Sequence, residues 1–229
     1  MAVPSMRHVR LIGGLSVEPA SRLTVPARRL LVFLALRPGL VQRWVVAEAL
    51  WRGQHERQAR ASLRRAIWHL GEEWLQLEGD ALRVTATVDV TSARLAVEQA
   101  LRGETLARES VALLTTDILP GWNDEWLIPF QDEFHDLRVR ALEIACRTLV
   151  ENGDLPLATQ AGTAAVVAEP LRESAVEAVV ISHLAEGNRY EAVRCYRSLA
   201  RLLQTELGVR PNDGLTERLV HVGLPVDVS

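Results

Sequence analysis

From His8 to Ile12 and from Leu15 to Val17 the chain runs in short apolar stretches separated by Gly13-Gly14, which predicts strand, turn, strand. Leu23 to Val25 predicts a third short strand, stopped by Pro26. Pro26 suits the first turn of a helix, where its missing N–H costs nothing. The run Ala27 to Leu36 then predicts a buried helix, ended by Pro38-Gly39. Val45, Val46, Ala49 and Leu50 place an apolar stripe on a second helix from about Arg43 to Trp51.

After the polar break Arg52–Glu56, a third helix is predicted from about Arg57 to Glu72. Ala59, Leu63, Ala66, Ile67 and Leu70 recur at three- and four-residue steps and give it one core-facing stripe. The other face carries Arg57, Arg60, Arg64, Arg65 and Trp68. Of these, Arg57, Arg60 and Arg64 stand three and four apart and form one ridge. Leu75-Gln76-Leu77 and Leu82-Arg83-Val84 alternate around the turn Glu78-Gly79-Asp80 and predict a hairpin, with Val88 and Val90 extending the strand-like pattern. Strands, three helices and a hairpin make the element order of a winged helix-turn-helix, in which the helix before the hairpin enters the major groove.

From Ser92 onward helical periodicity dominates. Two short helices are predicted at Ala93–Leu101 and Leu106–Leu114, and a long one from about Pro129 to Val150. Helices at Pro156–Ala168, Leu171–Glu186 and Tyr190–Leu207 follow, with a short last one at Leu215–Val222. Gly153 and Gly187 are 34 residues apart, as are Ala158 and Ala192. That is the period of tetratricopeptide helix pairs, where a small residue admits the partner helix and a glycine opens the turn between repeats. Stacked pairs make a concave surface suited to a peptide or helix of another protein.

Charge sharpens this division. Residues 1–94 carry 14 Arg against 8 Asp and Glu, and residues 95–229 carry 12 Arg against 21. A basic half joined to an acidic half points to a polyanion partner for the first only. All 26 basic side chains are arginine, so any phosphate contact falls to a planar guanidinium, which can also read a guanine edge.

Catalytic and cofactor patterns do not emerge. Gly13-Gly14 lacks the rest of any phosphate-binding or dinucleotide loop, and no Cys or His cluster has zinc spacing. Glu72-Glu73 and Asp132-Glu133 are adjacent pairs, hence on different helix faces, and read as solvated. Cys146 and Cys195 lie far apart in helical surroundings and read as buried thiols. Trp122, Trp126 and Phe130 read as core packing between domains or repeats. The apolar runs are too short to span a bilayer, and Met1–Val9 has no signal-peptide pattern, so a cytoplasmic protein is expected. The expectation is a non-enzyme with no cofactor and no metal.

Residues Val9–Leu95 resemble the N-terminal domain of the Streptomyces antibiotic regulatory proteins, whose winged helix is like that of the OmpR-type response regulators. The resemblance rests on Leu11-Ile12-Gly13-Gly14-Leu15, Pro26-Ala27-Arg28-Arg29-Leu30-Leu31, the Leu50-Trp51 pair and Ala61-Ser62-Leu63-Arg64-Arg65-Ala66. It continues in Glu169-Pro170-Leu171-Arg172-Glu173 and in Gly187, Ala192 and Tyr196. Glu206-Leu207-Gly208-Val209-Arg210-Pro211 then resembles the end of the bacterial transcriptional activation domain. Two features depart from the family: Leu70 is followed by Gly71-Glu72-Glu73, and the wing offers one cation, Arg83, between acids.

The resulting expectation is a mainly α protein with small β elements: a winged helix-turn-helix in 1–91 followed by tetratricopeptide-like helix pairs in 92–229. Arg57, Arg60, Arg64 and Arg65, with Trp68 and His69, face double-stranded DNA. Arg43 and Arg52 touch the flanking backbone, and Arg83 acts from the wing. The resemblance implies an activator that binds direct-repeat promoter elements as a pair of molecules and contacts RNA polymerase through its sigma or alpha subunit. The alternative is a protein-interaction adaptor whose winged helix has lost DNA, for which Glu72, Glu73 and the weakly basic wing speak.

Overall fold

A computed structural model describes residues 7–224, so Met1 to Met6 of the signal-peptide reading lie outside the described residues. Two compact units emerge, Met1–Ser92 with Asp117–Phe134, and Ala93–Thr116 with His135–Ser229. The sequence pattern suggested one boundary at 91/92; Asp117–Phe134 groups instead with the first unit.

In the first unit, β1 (His8–Arg10) pairs antiparallel with β2 (Ser16–Glu18), setting Val9 opposite Val17. Gly13 and Gly14 take positive φ in the turn between them. No strand forms at Leu23–Val25. Thr24 is instead the N-cap of α1 (Val25–Ala35), its Oγ1 accepting from Ala27 N–H at 3.4 Å. Cap and proline together start a helix where β-branched residues alone suggested a strand. α1 is buried on nearly every side, with Leu30, Leu31, Val32, Phe33 and Leu34 all in the core. α2 (Arg43–Leu50) and α3 (Glu56–Leu70) pack on it and on each other.

Gly71, at φ 89°, ends α3 at Leu70, and a 3-10 turn covers Glu72–Trp74 where the apolar pattern extended the helix to Glu72. The wing is β4 (Leu75–Glu78) and β5 (Ala81–Val84), with Leu77 opposite Leu82. A two-residue strand absent from the sequence pattern, β3 (Val41–Gln42), adds to β5 and ties the wing to the start of α2. β6 (Thr87–Val88) pairs parallel with β1. Val90 belongs to α4 (Asp89–Leu101) and not to a strand. Asp89 accepts from Leu11 N–H at 2.9 Å and Ile12 N–H at 3.0 Å, closing that sheet's end.

Segment Asp117–Phe134 is bound to the same unit through its backbone. Gly13 N–H donates to Asp117 C=O at 2.9 Å, and Leu119 N–H to Leu11 C=O at 2.8 Å. Trp126 meets Phe33 edge-on, ring centres 5.2 Å apart. Trp126 and Phe130 thus pack within the winged-helix unit, Phe130 against Arg37, and not between repeats.

The second unit is helical: α5 (Arg108–Leu114), α7 (Leu155–Ala168), α8 (Glu173–Ala185), α9 (Arg189–Glu206) and α10 (Asp213–His221) join the parts of α4 and α6 (Ile128–Glu151) that belong to it. The 34-residue repeat is a repeated turn. Gly153 and Gly187 both take positive φ, 81° and 77°. Asp154 N–H donates to Leu149 C=O at 3.0 Å, and Asn188 N–H to His183 C=O at 2.8 Å. Asp154 and Asn188 then cap α7 and α9 with their side chains, and Ala158 and Ala192 are fully buried one turn later. Glycine closes one helix and an Asx residue opens the next, twice. Glu143 is buried in this unit and accepts from Arg172 Nε at 2.6 Å and Ser174 Oγ at 2.9 Å, which fixes the entry to α8.

Candidate nucleic-acid interface

α3 is amphipathic because its apolar residues hold one face: Ala59, Leu63, Ala66 and Leu70 are buried. Arg57, Arg60, Arg64, Arg65, Trp68 and His69 are all exposed. Trp68 is 78 % exposed and meets the His69 ring edge-on at 4.8 Å. An indole left in water on a helix that has a full core face is unusual, and it suits a ligand surface.

The acids near this face are placed as closely as the arginines. Glu56 pairs with Arg60 one turn along α3. Arg65 donates to Ser62 Oγ at 3.3 Å, so its guanidinium lies back along the helix. Arg43, the first residue of α2, is half-buried, its Nε 3.8 Å from Asp80 in the wing turn. Arg43 N–H donates to Asp80 C=O at 2.9 Å, so helix start and wing turn are tied by backbone as well. Arg83 projects from β5 and donates from Nε to Gln76 Oε1 at 2.7 Å.

Arg43, Arg60 and Arg64 come together, with Trp44, Leu63 and Asp80, around one recess of about 190 Å³. Arg52 does not line that recess, but it shares a neighbouring cleft of about 400 Å³ with Trp44 and Arg60. It sits after α2, pairs with Glu125 at 3.2 Å, and lines a separate cleft of about 920 Å³ with Arg29, Asp124 and Trp126. Sequence reasoning missed Trp44 and Asp80. Trp44 is 57 % exposed, and the signal was present: it falls outside the stripe of Val46, Ala47 and Leu50. Asp80 was visible as a turn residue and as an acid beside Arg83, but its tie to Arg43 was not, since that depends on β3 pairing with β5.

Among the described residues no three His, Cys, Asp or Glu side chains gather to hold a metal ion, and no helix is long and apolar enough to cross a membrane.

Comparison with known proteins gives this geometry a context. The chain is 30% identical over 207 residues to the regulatory protein AfsR of Streptomyces griseus, a match covering 83% of this chain and 21% of that protein. It thus spans about a fifth of that relative's length. Its fold is similar to that of Mycobacterium tuberculosis EmbR, solved in complex with a low affinity phosphopeptide, at a TM-score of 0.66 and 18% identity. That match covers 96% of this chain and 66% of the other. The same architecture is found there, a winged helix followed by a tetratricopeptide-like helical domain. The pattern of the bacterial transcriptional activator domain matches residues 79–221, from the wing turn to the last residue of α10. The chain therefore belongs to the bacterial transcriptional activator domain family, and is of the Streptomyces antibiotic regulatory protein type.

Proposed function

We propose that this chain is a sequence-specific DNA-binding regulator that inserts α3 into the major groove, with the helical unit contacting RNA polymerase to activate transcription. The observation that carries the reading is the exposed face of Arg57, Arg60, Arg64, Arg65 and Trp68 on the helix that precedes the wing. A major groove about 12 Å wide admits such a helix, and guanidinium groups there bond guanine edges or phosphates. The excess of arginine in residues 1–94 supports a polyanion partner. Arg43 serves the DNA backbone from α2, Arg52 and Arg83 from either side, and two copies bind neighbouring direct repeats. Phosphate contacts set register and base contacts set sequence, so the operator follows from the α3 side chains. The protein acts in the cytoplasm, where its DNA and polymerase are.

Selection of genomic fragments with the purified chain, run beside an Arg60→Ala, Arg64→Ala variant, tests this. The wild type should enrich a repeated motif and the variant should not. If neither enriches a sequence, the chain is a protein-interaction adaptor and the helical unit carries its function.

A further inference from the structure

We infer that the recess lined by Arg43, Trp44, Arg60, Leu63 and Arg64 seats one phosphate of the DNA backbone, and that Asp80 occupies the place of that phosphate when DNA is absent. The inference rests on the DNA-binding reading above and assigns a task to three of its arginines.

Three guanidinium groups from two helices line a recess of about 190 Å³, large enough for a phosphate group and too small for a nucleobase with its sugar. The charges that face it are Arg43, Arg60 and Arg64 against Asp80, with Glu56 paired to Arg60 from the rim. The balance is positive, which suits a diester carrying one negative charge. Leu63 and Trp44 supply an apolar floor and wall, so an anion entering there is partly shielded from water and its attraction to the guanidinium groups is strengthened.

The Arg43–Asp80 pair is imperfect in a telling way. Its N···O separation of 3.8 Å is beyond hydrogen-bond length, and Arg43 Nε is buried with no hydrogen-bond partner among the described residues. A buried charged donor without an acceptor is costly, and a phosphate oxygen would be a stronger acceptor than the Asp80 carboxylate at 3.8 Å. Asp80 cannot move closer by shifting its backbone. Its C=O is held by Arg43 N–H at 2.9 Å, and the β3–β5 register pairs Gln42 with its neighbour Ala81. The carboxylate itself is 73 % exposed and can swing out into water. Asp80 therefore neutralises the recess loosely and yields to a better anion.

This division of labour leaves Arg57 and Trp68 on the part of α3 outside the recess, free to face base edges, while the recess fixes register without reading sequence. The wing turn gains a role that its acidic character would otherwise contradict: it sets how readily the phosphate site opens.

The test uses the full chain with a short mixed-sequence duplex at low salt, read by fluorescence anisotropy, and separately with inorganic phosphate, read by the Trp44 part of the emission with Trp44→Phe as the blank. Asp80→Asn keeps size and backbone contacts while removing the charge. It should tighten duplex binding about two- to fivefold, the range for losing one exposed competing ion pair. Arg43→Gln should lower the slope of log affinity against log salt by about 0.9 and cancel the gain from Asp80→Asn. Arg64→Gln gives the same reading if Arg43→Gln disturbs folding. An undiminished gain in the Arg43→Gln background, or no gain while the wild type binds duplex, overturns the phosphate seat and leaves the DNA reading standing. Phosphate quenching that depends on Arg43, with no duplex binding by the wild type, overturns the DNA reading itself and makes the recess a small-anion site.

Discussion

The guanidinium of Arg37 lies 3.6 Å from the ring centre of Phe33, just past the end of α1. Phe130 at 4.5 Å and Trp126 at 5.9 Å complete an aromatic enclosure, and Nη1 donates to Phe33 C=O at 3.0 Å. Burial pushes the Arg37 pKa down. The planar cation therefore joins α1 to the segment Asp117–Phe134 within the winged-helix unit. Arg37→Ala should cost about 1–2 kcal/mol, the range for a partly desolvated cation on aromatic faces. Arg37→Lys should recover less than half, because an ammonium cannot stack. Urea unfolding of the three proteins decides it. Equal stability of Arg37→Lys and wild type would show that charge, not stacking, holds the segment.

Gly162 in α7 allows three helices to meet. A Cβ there would stand 3.0 Å from Cys146 Sγ, Val179 Cα and Val179 Cβ, in the middle of α6 and α8. One of those contacts is backbone and cannot rotate away. Gly162→Ala would gain up to about 1 kcal/mol of helix propensity. Overpacking should outweigh it, leaving a net loss of about 1–2 kcal/mol in denaturant unfolding. A net gain would mean that α7 and α8 separate freely.

Such contacts show where the sequence was legible and where it was not. The stripe Ala59, Leu63, Ala66, Leu70 is a local pattern, so α3 and its exposed arginines could be read directly. The turns at Gly153 and Gly187 were legible as a repeat for the same reason: glycine and the Asx residue after it act within one turn. Leu23–Val25 was misread because three apolar or β-branched residues outweighed the Thr24 cap, although Thr24 with Pro26 two residues on carried the helix signal. The grouping of Asp117–Phe134 with the first unit was not legible at all. It depends on Leu11 meeting Leu119 and Phe33 meeting Trp126, pairings that no local periodicity encodes. Buried charges such as Glu143 escaped for a related reason, since Arg172 lies in a different helix turn far along the chain.

Cys146 makes stability depend on alkaline pH. Burial pushes its thiol from an ordinary value of 9.0 up to about 11. Between those values the folded thiol keeps its proton while the unfolded one loses it, so the unfolded chain binds fewer protons and stability falls as pH rises. The contribution is fully present below pH 9 and is lost as pH climbs through about 11. Burial also raises Cys195, which adds in the same direction. Chemical unfolding from pH 8 to 10.5 should show the decline, and Cys146→Ala should flatten it in part. An identical slope in that variant would place the titration elsewhere.

Trp68 offers a separation of binding from folding. With 78 % of its surface in water it contributes little to the core, and its nearest ring partner is His69. Trp68→Ala should change stability by no more than about 0.5 kcal/mol, as exposed substitutions do. On the proposed DNA face, loss of its apolar contact with a base edge or sugar should weaken binding to the selected operator by roughly tenfold, or about 1.4 kcal/mol, within the range for one specific contact. Binding to mixed-sequence duplex should change much less, because phosphate contacts by Arg43 and Arg64 remain. Parallel melting curves and titrations on both duplexes supply the comparison. If Trp68→Ala melts several degrees lower and binds operator like the wild type, the indole serves packing, and the base-reading part of α3 must be sought at Arg57 and Arg65 alone.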